Sequence, residues 1–374
     1  MLPTHWLLVS KPLRPPFRDG SSVLVKQLVE HLPERFTLTY YGDPEQPLRK
    51  QENDEVLSLP DMGFAPGLIA KARVLATLFA ARHRRLPLHF FFTPNRVTSG
   101  VLAALHRSQP QRPVLQSLMS SDGAARFAPL LRDLDAVVVL SEHTRNALLE
   151  AGLSAERVRR IYPAVAEGAI VKQSVSNRRL LYAGDLDLAV VEHLIAAGRA
   201  LDQPLLQGWT LEIAARPKAK DDAAARARLR GALARELAVG QVLLAGEVPN
   251  MEAVFQRATL QLFLATHMHK KVDIPLVLLE GMSRSLPLIA FDFAPVNEIF
   301  ARAREYRLEP GRLLPLQTSA GDLGAVLREI AGHPETLVRW GEDARELSRR
   351  AFALETMVEQ YAALYDELGA KSHP

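Results

Sequence analysis

From Leu180 onward the chain repeats one pattern, an apolar run followed by a stretch whose apolar residues recur at helical spacing, then another apolar run. The runs are LLYAGDL at Leu180, WTLEIAA at Trp209–Ala215, VLLAGEV at Val242 and LQLFLA at Leu260, separated by helical stretches over Val190–Leu201, Asp221–Leu237 and Met251–Arg257. Strands apolar on both faces must be covered on both faces, and parallel neighbours need a helix-length crossover. The pattern therefore predicts a doubly wound parallel α/β sheet. Its first turn, YAGDLDL, has no GxGxxG, so a dinucleotide site fails at its own motif.

The first half reads the same way. Strands are predicted at His5–Ser10, Phe36–Tyr41, Leu88–Phe92, Pro113–Leu118 and Ala136–Leu140, and helices at Ser22–Leu32, Gly67–Leu86, after Thr93, and from Ser141. A polar, aperiodic stretch over Ala166–Arg179 reads as the linker. At 374 residues two domains are expected. Zero cysteines exclude disulfides, thiol nucleophiles and cysteine metal sites. Lys plus Arg at 46 against Asp plus Glu at 42 leaves +4, too little to argue for nucleic acid. No apolar run is long enough to span a bilayer, and MLPTHWLLVSK is too short for a signal peptide, so a cytoplasmic protein is expected. The stretch 67–86 carries Lys71, Arg73, Arg82, Arg84 and Arg85 and has two readings. One is a core helix with a solvated basic end; the other is a helix making peripheral contact with an anionic membrane.

Loops that follow parallel strands are where such sheets hold ligands. The loop KPLRPPFRDGSS, with Arg18, Gly20 and Ser21, ends at a helix start and offers N–H groups to an anion, although a Ser-capped turn explains it equally well. Thr93, Asn95, Ser120, Ser121 and Asp122 are polar in equivalent loops. The stretch KVDIPLVLLEGMSRSLPLIAFDFAPVNE, Lys271–Glu298, combines a loop, a helix opened by Pro275, a strand and a second loop. Glu280 is its anomaly, one carboxylate amid apolar residues that needs a partner to be buried.

That stretch resembles the donor-sugar signature of retaining glycosyltransferases of the GT-B fold, family 4, with its "LLEAMA.G.P" and "A.D....E". The segment AVVVLSEHTRNALLEAGL through VRRIYPAV and the terminal pattern of Phe352, Glu355, Val358, Tyr361, Tyr365 and Leu368 extend the resemblance over nearly the whole chain. It implies two Rossmann-like domains facing a cleft, acceptor-binding over 1–170 and nucleotide-sugar-binding over 171–350, with a C-terminal helix at 351–374 packing back on the first. It places Glu280 on the ribose hydroxyls and Glu298 on the glutamate that closes the next loop. The family's first glutamate falls on Val272, its usual histidine on Met119, and its diphosphate Arg and Lys on Asp185 and Leu188 or Ala189. Asp273 is the substitute expected to contact the donor sugar.

The reading is thus a retaining transferase that moves a sugar from an NDP-sugar, UDP or GDP, to a glycan, lipid-linked or small-molecule acceptor, with no metal and no cofactor beyond the co-substrate. Asp273 and Glu280 are the expected catalytic pair. Donor contacts are expected from Gly20, Ser21, Gly184, Arg216, Lys218, Lys270, Lys271, Ile274, Pro275, Leu276 and Glu280; acceptor contacts from Arg18, Asn95, Ser120 and Asp122. Two alternatives stay open: a non-catalytic relative that keeps the sugar-nucleotide pocket, and a sugar-nucleotide epimerase.

Overall fold

The computed structural model describes residues 4–17, 19–59, 67–80, 83, 85–92, 95–171, 178–217, 221–268 and 271–370. Arg18, Lys218 and Lys270, expected at the site, and Thr93, Arg82, Arg84 and Lys220 lie outside the described residues. The chain forms two compact units: Met1–Ala164 with His269–Ile274 and Leu354–Pro374, and Val165–Met268 with Pro275–Ala353.

The first unit runs β1 (Thr4–Leu13), α1 (Gly20–His31), β2 (Phe36–Gly42), β3 (Glu55–Leu57), α2 (Leu68–Phe79), β4 (Leu88–Phe90), α3 (Arg96–Ser108), β5 (Val114–Leu118), α4 (Ala124–Leu131), β6 (Ala136–Val139), α5 (Glu142–Glu150) and β7 (Val158–Arg160). Its sheet is parallel throughout, in the order β3-β2-β1-β4-β5-β6-β7. Successive side chains of β1 point to opposite faces. Trp6 and Leu8 accordingly join Leu24 and Leu28 of α1 in one core layer, while Leu7 and Val9 join Leu102 and Leu105 of α3 in the other.

The second unit runs β8 (Arg179–Ala183), α6 (Leu188–Ala200), β9 (Thr210–Ala214), α7 (Asp222–Ala232), α8 (Ala234–Ala238), β10 (Val242–Ala245), α9 (Met251–Arg257), β11 (Leu260–Phe263), α10 (Leu276–Met282), β12 (Leu288–Phe291), α11 (Glu298–Glu305), β13 (Gly311–Leu314), α12 (Ala320–Ala331) and α13 (Pro334–Ala351). Its sheet, also parallel, has the order β10-β9-β8-β11-β12-β13. Both sheets are the doubly wound type that the apolar runs require.

Several boundaries differ from the sequence reading. The stretch 221–237 breaks into α7 and α8 at the buried Leu233, and the C-terminal helix expected over 351–374 begins at Leu354, after Phe352, whose carbonyl accepts from the Val165 amide at 3.3 Å. The helix expected over 67–86 ends at Phe79, where Ala80 turns out of helical geometry. Strand β3 and helix α4 were not anticipated.

The last helix, α14 (Leu354–Ala370), belongs to the first unit and is fastened there by a buried polar chain. His89 on β4 bonds the Tyr365 hydroxyl at 2.6 Å and the Ser117 hydroxyl at 2.7 Å, and Ser117 meets the Tyr361 hydroxyl at 3.1 Å. Trp6 stacks on Tyr365 at 4.1 Å between ring centroids. Complete burial pushes the His89 imidazole well below its usual pKa and keeps it neutral. The network is satisfied, so its cost appears only when one member is removed. Tyr365→Phe keeps the ring and strands one imidazole nitrogen. We expect it to destabilise the first unit by roughly 1–3 kcal/mol in urea unfolding, whereas an unchanged midpoint would show that the network contributes nothing.

Candidate functional site

In the second sheet the strand order reverses between β8 and β11, and the crevice at the carboxyl ends of such strands is the usual ligand position. The loop after β8 supplies Gly184, Asp185 and Asp187; the loop after β11 supplies His267. His267 Nε2 lies 3.8 Å from Asp187 Oδ2, bridging the two loops. The sequence reading missed His267, although its place just past a buried strand was signal enough.

The first turn of α6, which opens this crevice, is already filled with negative charge. The Asp187 carboxylate accepts from the Val190 amide at 3.0 Å, and the Asp221 carboxylate from the Leu188 amide at 3.1 Å. These acids take the N–H groups and dipole field that otherwise suit a phosphate. Gly184, expected to meet the donor, has its amide engaged with the Ala214 carbonyl at 3.2 Å. Arg216 stands partly exposed just past β9. Contrary to the expectation that no Asp-x-Asp triplet is present, the chain holds two, Asp185-Leu186-Asp187 and Asp133-Leu134-Asp135. Asp187 acts as the α6 cap, Asp133 pairs with Arg107 at 2.8 Å, and Asp135 accepts from the Val114 amide at 2.8 Å.

Helix α10 sits against β11 and opens on Pro275, so that Leu276 is its first residue and no side chain caps it. It approaches closely because Gly281 has no side chain: a Cβ there would lie 2.2 Å from the buried Gln261 side chain of β11. Leu276, Leu278, Leu279 and Met282 are buried, which leaves Glu280 half-buried among apolar neighbours. The Arg284 guanidinium does not hydrogen-bond the Glu280 carboxylate. Arg284 donates Nε and Nη2 to the Glu252 carboxylate at 2.7 and 2.6 Å, and gives Nη1 to the Glu280 backbone carbonyl at 2.7 Å. Among the described residues the Glu280 carboxylate receives no hydrogen bond; burial, against the attraction of Arg284, pushes its pKa up to about 7. Glu298, in the first turn of α11, is also buried.

The remaining expected residues lie in the first unit. Gly20 and Ser21 begin α1, but the preceding Asp19 caps it, accepting from the Ser22 amide at 2.9 Å, the Ser21 hydroxyl at 2.5 Å and Lys11 Nζ at 3.1 Å. Those donors and Lys11 outweigh burial and hold the Asp19 carboxyl at about 2. An anion meeting Gly20 and Ser21 thus faces a resident carboxylate. Asn95 caps α3 through the Val97 and Thr98 amides, both at 3.0 Å, and the buried Ser120 hydroxyl accepts from the Asp122 amide at 3.2 Å. Lys271 is partly exposed, and the Ile274 side chain is fully buried.

Asp273 requires a correction. Its side chain is 0% exposed, and its carboxylate accepts from the Ser121 amide at 2.6 Å and from the Ser141 and Thr144 hydroxyls, both at 2.5 Å. Its own amide donates to the Met119 carbonyl at 3.0 Å. Burial raises its pKa and the three donors pull it back. A carboxylate so enclosed ties its chain segment to the loops after β5 and β6; it does not present itself to a sugar. Met119, at the position where the resemblance leads one to expect histidine, is buried in the core beside it.

Glu280 yields a pH prediction. A carboxyl whose folded pKa is raised opposes folding once the pH exceeds its ordinary value of 4.5, and does so fully above about 7. Glu280→Gln removes that opposition. We expect the variant to match the native chain near pH 4.5 and to gain up to roughly 3 kcal/mol by pH 8 in chemical denaturation; a pH-independent difference would contradict the unpartnered carboxylate.

No family model and no curated protein matches the chain. Solved structures do. A sucrose-phosphate synthase from Thermosynechococcus elongatus is 19% identical, with 98% of this chain and 99% of that one covered at a TM-score of 0.72. HepE of Anabaena, solved in complex with UDP and glucose, is 15% identical over 96% of this chain and 99% of that one at 0.70. WaaG, a glycosyltransferase involved in lipopolysaccharide biosynthesis, is 15% identical over the same shares at 0.67. At these identities the likeness establishes the fold: two parallel-sheet α/β units of the GT-B type.

Proposed function

We propose that this GT-B chain is a glycosyltransferase that takes a UDP- or GDP-linked sugar and transfers it, with retention and without a metal, to a hydroxyl of a glycan, lipid-linked or small-molecule acceptor. The observation that carries the reading is Glu280. A half-buried carboxylate that receives no hydrogen bond among the described residues, with Arg284 drawn off to Glu252, is suited to accept from the paired hydroxyls of a ribose. The UDP and glucose bound by HepE, whose fold this chain shares, support a sugar-nucleotide donor.

In the proposed reaction the bond from the anomeric carbon to the diphosphate breaks and the acceptor oxygen bonds the same face. The acceptor's proton passes to the departing diphosphate oxygen. The protein's task is then to hold both partners and to neutralise the leaving group. Arg216, Lys218, Lys270 and Lys271, with the amides at Gly20, Ser21 and the Pro275–Leu276 turn, are the proposed diphosphate contacts. Arg18, Asn95, Ser120 and Asp122 are proposed on the acceptor side, with Asn95 and Ser120 contributing around the backbone bonds they already make.

One observation favours a second reading, a relative that binds the sugar nucleotide without turning it over. The acids capping α6 occupy ground where a diphosphate would look for N–H groups, and a weakly held leaving group slows transfer.

Calorimetric titration with UDP-, GDP-, ADP- and TDP-sugars tests both. We expect one donor to bind, and Glu280→Ala, folded by circular dichroism, to weaken it about 10- to 100-fold through loss of charged hydrogen bonds. Folded protein that binds no donor would overturn the proposal. Tight binding with neither transfer nor hydrolysis would select the second reading.

A further inference from the structure

Helix α2 is apolar on two opposite sides, and among the described residues only one of them is covered. Ala70 and Leu78 are buried and Val74 packs partly against the same core, a line at spacing four that faces the sheet. On the other side Ile69 is 69% exposed, Phe79 58% and Leu75 40%, with the exposed Ala72 and Ala76 between them. A soluble helix ordinarily turns charge toward solvent, so an apolar outer face implies a surface that covers it.

The charge around this face indicates which surface. Lys71 and Arg73, both exposed, flank the apolar strip on either side, and Arg85 is exposed beyond the helix. No Asp or Glu occurs from Gly67 to Leu86. A folded protein partner would usually bring charges of both signs, whereas uniform basic flanks around a strip of Ile, Leu and Phe match a layer of anionic headgroups above acyl chains.

We propose that α2 docks this protein on an anionic lipid bilayer, with Ile69, Leu75 and Phe79 entering the headgroup–acyl boundary and Lys71 and Arg73 meeting phosphates. The inference stands apart from the donor reading, because none of these residues belongs to the donor or acceptor site.

The test is flotation of the full chain with vesicles of phosphatidylcholine alone and of phosphatidylcholine mixed with phosphatidylglycerol, at low and high salt. We expect co-flotation with the mixed vesicles only, reduced by salt. Phe79→Ser with Ile69→Ser should weaken it by about tenfold or more through lost apolar burial, and Lys71→Glu with Arg73→Glu by about as much through charge. These side chains lie outside the core, so circular dichroism should be unchanged. Absence of the native chain from the mixed-vesicle fraction would overturn the proposal, as would flotation insensitive to both pairs of substitutions. Concentration-dependent dimerisation abolished by Phe79→Ser, without flotation, would instead assign the face to a second copy.

Discussion

A carboxylate taken into a protein must find hydrogen bonds or resist ionisation, and the segment around α10 shows both outcomes close together. Asp273 is enclosed by one amide and two hydroxyls and serves its own segment. Glu280, after the Pro275 turn, receives no hydrogen bond among the described residues, and Arg284 is turned toward Glu252 and a backbone carbonyl. The functional reading depends on that difference. The enclosed acid ties its own segment to the loops after β5 and β6, and the unserved one gives α10 something to offer a ligand.

The same logic limits what the second unit can do with phosphate. The α6 terminus, which in an open α/β sheet lies beside the ligand crevice, is held by Asp187 and Asp221, and His267 leans toward Asp187. Under the proposed function, recognition in this unit rests on the nucleoside end of a donor, through Glu280. Under that proposal, neutralisation of a diphosphate by this unit falls to partly exposed side chains such as Arg216 more than to fixed amides. The proposal thus separates binding, assigned to α10, from turnover, assigned to the groups that neutralise the leaving diphosphate.

The fold was legible in the sequence because its signals are periodic and local. Runs such as LQLFLA and AVVV, alternating with helical spacing, admit few architectures besides a doubly wound parallel sheet. Glu280 was legible as an anomaly for the same reason. Asp273 was not, since Ser121, Ser141 and Thr144 lie far away in sequence and no spacing announces them. Spacing likewise could not reveal that Asp19 and Asp221 fill the helix starts where an anion was expected. Helix α2 shows a further limit: its sequence displays two apolar sides, but only the packing of Ala70, Val74 and Leu78 tells which of them remains uncovered.

The most direct test of the central claim is proton release on donor binding. With Glu280 titrating at about 7 and, as proposed, the ribose hydroxyls selecting its ionised form, binding of the donor identified by titration should expel close to one proton at pH 6 and almost none at pH 8.5. Calorimetry in buffers of different ionisation enthalpy measures this, with Glu280→Gln as control. Release that declines with pH in the native chain and vanishes in the variant is the predicted result. Binding without pH-dependent release, or release that persists in the variant, would contradict the assignment of Glu280 as the carboxylate that receives the donor.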